Sequence, residues 1–80
     1  METKEIEAKV CDMVSRIGNV DIATLDADTD IVGSLGFSSM QMYSVAAMLE
    51  SITGAHVVLA DLNDLKTIRD FTEFAASKMA

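Results

Sequence analysis

The chain contains no proline and no tryptophan, one cysteine and one histidine. Cys11 cannot close an internal disulfide on its own, and Cys11 with His56 falls short of the Cys/His set that a structural zinc needs. A Ser-His or Cys-His catalytic arrangement would rest on His56 alone. No apolar run approaches the roughly 20 residues of a membrane-spanning helix. No basic-then-apolar leader opens the sequence. A reducing, cytoplasmic setting is expected from this cysteine usage. Positive charge is missing from one long stretch. Residues 17–65 hold Asp21, Asp26, Asp28, Asp30, Glu50, Asp61 and Asp64 but no Lys or Arg, and the whole chain carries a net charge of −7. Such a surface repels nucleic acid and attracts basic partner surfaces. It also serves simply to keep a small protein soluble.

Hydrophobic residues are plentiful at 50%, which favours a packed core over disorder. At 80 residues a single domain spanning 1–80 is expected, with a modest core. Ile6, Val10, Met13, Val14 and Ile17 recur with helical spacing, so residues 2–17 are predicted to form an amphipathic helix that Gly18-Asn19 ends. Cys11 lies beside that stripe and reads as a packed thiol. Residues 18–38 make a long connection, with Ile22, Leu25, Ile31 and Leu35 expected to tuck beneath it. Asp30 is placed to cap a turn over residues 31–35.

A second helix is predicted over residues 39–53, ended near Gly54. Residues 55–60 are β-branched but lack a partner strand, so they read as an extended connector with Val57 and Leu59 facing inward. Asp61 to Leu65 suits a short helix capped by Asp61. Thr67 begins the last helix, with Asp70 as the acidic member of a capping box. The core is predicted to contain Ile6, Val10, Val14, Val45, Leu49, Ile68 and Phe71. These periods and loop lengths favour an all-α bundle: three main helices, one short helix, and a long loop between the first two.

The stretch from Leu35 to Leu49 carries the chemistry. Gly36 permits a turn that other residues avoid, and it delivers Ser38 and Ser39 to the start of an apolar helix. Serine is a preferred N-cap, so the plain reading is that one of them only caps the helix. The other reading is that one carries a phosphate group, since the positive end of a helix favours an attached anion. Phosphorylation by a kinase is a third, weaker version of the same idea.

Leu35-Gly36-Phe37-Ser38-Ser39-Met40 resembles the Leu-Gly-x-Asp-Ser-Leu motif of the acyl and peptidyl carrier proteins. Asp28-Thr29-Asp30-Ile31 is similar to the Asp-x-Asp-Leu that often precedes that motif. Val45 to Glu50 resembles the family's hydrophobic second helix, which ends in Leu-Glu. Thr67-Ile68-Arg69-Asp70-Phe71 resembles the start of its last helix. The resemblance implies a small four-helix bundle of acyl-carrier type. It implies a 4′-phosphopantetheine arm attached to Ser39, with Ser38 the less favoured hydroxyl, and transferred from coenzyme A by a phosphopantetheinyl transferase. The arm's thiol would hold an acyl, aminoacyl or peptidyl group as a thioester. A loading ligase or transferase and downstream synthases of fatty-acid, polyketide or nonribosomal-peptide type would be the partners. The chain itself would be a stand-alone, monomeric carrier and not an enzyme.

Two departures qualify what the resemblance implies. The acid that precedes the modified serine in the family is Ser38 here. The second helix has Gln41 and Ser44 on its polar side and no acid before Glu50. Partner docking is therefore expected to use Met40, Gln41 and Tyr43, with Met42 nearer the core, and Asp61 and Asp64 to supply charge. Weak acidity on this helix favours a dedicated pathway over general fatty-acid synthesis. The rival expectation is a carrier-like helical interaction module that is never modified.

Overall fold

The computed structural model describes residues 2–79; Met1 and Ala80 lie outside the described residues. Three α-helices make up the fold, and no β-strand occurs among the described residues. Helix α1 spans Thr3–Gly18, α2 spans Ser39–Thr53 and α3 spans Ile68–Met79. Each pair of these helices is in contact, so they enclose one core.

Helical spacing decides which residues fill it. Ile6, Val10, Met13 and Val14 of α1 meet Val45, Ala46 and Leu49 of α2 and Ile68, Phe71 and Ala75 of α3. All seven predicted core residues are buried. Thr72 is the one buried polar residue among those described, and its hydroxyl donates to the Ile68 carbonyl at 2.8 Å. This local bond satisfies a hydroxyl that burial would otherwise penalise.

The helix ends follow local chemistry. Gly18 remains helical, and Asn19 takes the left-handed position with φ 53°. Asparagine tolerates that conformation better than most side chains do. Gly18 is needed for a different reason. A Cβ there would lie 2.6 Å from Cε1 of Phe37, so any side chain forces the ring to move. Gly54 ends α2 with φ 71°, and its N–H donates to the Glu50 carbonyl at 2.8 Å. At α3, Asp70 N–H donates to Thr67 Oγ1 and Thr67 N–H donates back to Asp70 Oδ2, each at 3.1 Å. This is the predicted reciprocal cap.

The long loop is pinned rather than free. Asp30 Oδ1 accepts from the amides of Val32 and Gly33, which closes the predicted turn. Ile31 N–H donates to the Lys66 carbonyl, and Ile68 N–H donates to the Thr29 carbonyl, at 2.9 and 3.1 Å. Arg69 adds a bond from its N–H to the Ala27 carbonyl and an ion pair to Asp28. Ile31 is fully buried beneath this clip, and Leu25 and Leu35 are half-buried.

Two expectations are corrected. Ile22 does not tuck under the loop. It opens a three-residue 3-10 turn, Ile22–Thr24, whose cap is Asp21, and that tight turn leaves its side chain 47% exposed. The short helix expected at residues 61–65 is a 3-10 turn at Leu59–Leu62. Asp61 lies inside it, and its carboxylate reaches back to accept from the Val58 amide at 3.0 Å. Leu62 is the buried anchor, so the turn forms where that side chain reaches the core. Val57 is buried and Leu59 half-buried, as the connector reading expects.

Candidate functional site

The approach to α2 is built from the loop inward. Gly36 adopts φ 68°, and the next N–H, that of Phe37, donates to the Ile31 carbonyl at 3.2 Å. Phe37 is buried, with its ring against Gly18 at the end of α1. Ser38 is extended, with φ −80° and ψ 170°, and serves as the N-cap. Its Oγ accepts from the Gln41 amide at 3.3 Å, and its own N–H donates to Gln41 Oε1 at 2.8 Å. Ser38-x-x-Gln41 is thus a complete capping box.

Ser39 follows as the first helical residue. It is exposed, and its hydroxyl has no hydrogen-bond partner among the described residues. The amides of Ser39 and Met40 fall in the first turn, where no carbonyl stands four residues back inside the helix. No acidic side chain lies in that turn. The two serines are therefore not equivalent: one hydroxyl is bonded to the backbone and the other has no partner among the described residues.

Beside Ser39 opens a groove of about 240 Å³. Val32 and Phe37 line it from the loop, Met42 from α2, and Leu59, Leu62 and Leu65 from the chain that follows α2. Asn63 lies on its wall, and the exposed Asp61 and Asp64 belong to the same stretch of chain. On the solvent side of α2, Met40 is 80% and Tyr43 62% exposed, with Ser44 and Ala47 exposed on the same face. No charged side chain lies on α2 before Glu50.

Glu50 is turned back toward the connector. Its Oε1 accepts from the Val57 amide at 3.0 Å and lies 2.7 Å from His56 Nδ1. The Val57 amide, with the His56 contact as the lesser cause, holds its carboxyl below the usual range. Cys11 is half-buried, and burial pushes its thiol up, which disfavours the reactive thiolate.

The structure places the expected site residues as follows. Ser39, Met40 and Tyr43 are exposed on and around the first turns of α2. Gln41 is half-buried, and both ends of its side-chain amide are bonded within the chain. The Ser-x-x-Gln spacing is the sequence signal for that role. Asp61 and Asp64 are exposed, and Asp61 also bonds Val58. Asp28, one of the acids in the stretch without Lys or Arg, is paired with Arg69 from outside that stretch.

A family model described as a phosphopantetheine attachment site matches residues 8–75, most of the chain. No curated protein matches the sequence. Members of that family carry 4′-phosphopantetheine as a covalently attached prosthetic group. The start of α2 fits a phosphodiester there: an exposed serine whose hydroxyl has no partner among the described residues, two amides in the first turn, and no acid beside them. The chain belongs to this family.

Proposed function

We propose, with that membership as the premise, that Ser39 is the attachment residue and that residues 1–80 act as one carrier domain. The supporting observation is the division between the serines. Both residues are exposed, but Ser38 Oγ accepts from the Gln41 backbone N–H, whereas the Ser39 hydroxyl has no hydrogen-bond partner among the described residues. Ser39 Oγ would bond to the phosphorus of the pantetheine phosphate of coenzyme A. The bond from that phosphorus to the nucleotide part breaks, and the hydroxyl proton passes to the phosphopantetheinyl transferase. When bound, the arm supplies a thiol on which an acyl or aminoacyl group is held as a thioester.

This chain's own residues then do three things. The first-turn amides of α2 favour the phosphodiester charge. The groove next to Ser39, lined by both apolar and polar groups, offers surface along which an arm leaving Ser39 can lie. The uncharged face of Met40 and Tyr43 presents the domain to partner enzymes with an apolar contact patch, while Asp61 and Asp64 steer basic rims. The chain is a substrate of those enzymes and not a catalyst. An α2 without acids before Glu50 fits a dedicated polyketide, peptide, modified-lipid or aminoacyl-transfer route better than general fatty-acid synthesis.

Intact mass after incubation with coenzyme A and a broad-specificity transferase tests the assignment. Ser39→Ala should abolish the mass gain. Ser38→Ala should retain it while costing about 1 kcal/mol of stability through the lost cap. The reverse pattern moves the site to Ser38. No gain with transferases from several pathways makes the chain an unmodified interaction module. A gain equal to bare phosphate after expression indicates a kinase target instead.

A further inference from the structure

Gln41 makes a contact that the attachment reaction does not by itself require. Its Nε2 donates to the carbonyl of Ile17, 24 residues away, at 3.4 Å. That carbonyl is in the last turn of α1, where helix carbonyls lack intrahelical partners. The orientation of the amide is set by chemistry. Ser38 N–H needs an acceptor, so Oε1 must face it, which directs the NH₂ group toward Ile17. The side-chain amide carries an acceptor and a donor on one head, as this pair of partners requires. A carboxylate lacks the donor and an ammonium lacks the acceptor.

The same end of α1 holds the chain on the other side of the serines. Gly18, the residue after Ile17, accommodates the ring of Phe37, the residue before Ser38. Ser38 and Ser39 therefore sit between two attachments to one helix end. One is the ring packed at Gly18 and the other is the amide bound at Ile17.

We infer that Gln41 is a positioning residue for the Ser39 hydroxyl. It holds the serine turn against α1 so that Oγ is presented in a fixed place to the transferase, without itself touching transferase or arm. The inference rests on Ser39 as the attachment residue. Holding a nucleophile in place affects the chemical step, whereas contact residues affect binding. Gln41 is half-buried, and both ends of its side-chain amide are bonded within the chain, which suits the first role.

The test uses the full chain, coenzyme A and a broad-specificity transferase, with the chain as varied substrate and intact mass as readout. Gln41→Ala removes both side-chain bonds and should lower kcat about tenfold with KM within about twofold, the scale expected for a slightly misplaced reactive group. Gln41→Glu keeps the bond to Ser38 N–H and loses the donor to Ile17, so its kcat should fall between those of wild type and Gln41→Ala. Hydrogen exchange on the unloaded chain reads the same geometry without the transferase. The Ser38 amide should stay protected in Gln41→Glu and lose protection in Gln41→Ala. Circular dichroism checks that each variant folds, and if Gln41→Ala does not, Gln41→Glu carries the kinetic comparison. A raised KM with unchanged kcat makes Gln41 a contact residue and overturns the inference, as does wild-type kinetics in both variants. Failure of wild type to gain mass, or retention of the gain in Ser39→Ala, refutes the Ser39 assignment and the positioning role with it. Wild-type loading at Ser39 with kcat unchanged in the variants refutes the positioning role alone.

Discussion

Replacing Gly18 with alanine sets two opposed effects against each other. Glycine in a helix is less favourable than alanine, and its removal from a compatible site is worth about 0.4–1 kcal/mol. Gly18 has ordinary helical geometry, so the backbone accepts the change. The new Cβ, however, would stand 2.6 Å from Phe37 Cε1 and 3.0 Å from Cζ. Carbon atoms prefer about 3.5–4.0 Å, so the ring must retreat by roughly an ångström. Phe37 is only 7% exposed, so that movement disturbs the packing around it. Overpacking of this kind costs about 1–3 kcal/mol, which outweighs the helix gain. Gly18→Ala should therefore destabilise the chain by about 0.5–2 kcal/mol, lowering the thermal midpoint by roughly 3–10 °C for a domain of this size. Urea unfolding followed by circular dichroism measures it. Phe37→Leu supplies the control, because leucine ends short of the ring's far edge. In that background the same glycine change should be neutral or stabilising, giving a coupling of about 1–3 kcal/mol in a double-mutant cycle. Equal stabilisation by Gly18→Ala in both backgrounds would falsify the ring contact and the packing of the serine turn against α1.

Acid should weaken the fold through its caps. The amides of Thr67 and Lys66 hold Asp70 below the usual carboxylate range, so its folded pKa is lower than its unfolded one. The stability this contributes is present above about pH 4 and is lost as pH falls further, because the unfolded chain then binds the proton more readily. Urea midpoints measured downward from pH 5 should decline, and Asp70→Asn should flatten that decline; an unchanged slope removes Asp70 from the account. Docking separates by kinetics against the loading transferase. Met40→Ala should speed dissociation with little change in salt dependence, whereas Asp61→Asn with Asp64→Asn should slow association at low salt only. Unchanged dissociation in Met40→Ala, together with loss of binding in Glu50→Gln, would show an electrostatic docking surface instead.

Features with a repeating period are the ones that can be read from the chain alone. Ile6, Val10 and Val14 announce the buried side of α1, and Val45 with Leu49 that of α2, because helical spacing is local. Thr67 and Asp70 are legible as a cap for the same reason. Ile22 misleads, since an isolated apolar residue in a loop carries no period to orient it. Asp61 misleads differently. Aspartate caps helices and also bonds backward within a tight turn, and the buried Leu62 decides between the two. At the site, the Gly-x-Ser-Ser turn is visible in sequence. The roles of Ser38 and Gln41 are half visible through their spacing. The Gln41–Ile17 and Gly18–Phe37 contacts join residues far apart in the chain, and no local pattern encodes them.

The backbone clip between residues 27–31 and 66–69 has a consequence for how the protein tolerates change. Closing a loop costs entropy that rises only slowly with its length, by about 0.6 kcal/mol per doubling. Because Thr29, Ile31 and Ala27 are bonded to Ile68, Lys66 and Arg69, the connection between α1 and α2 consists of two independently tethered spans. Slack introduced around Ile22–Thr24, where the side chains are exposed, ends at the tether and does not reach Phe37 or the serines. The first span is thus free to drift in length and composition, while the second, from Ile31 to Ser38, is held to one length by the fixed points at its two ends.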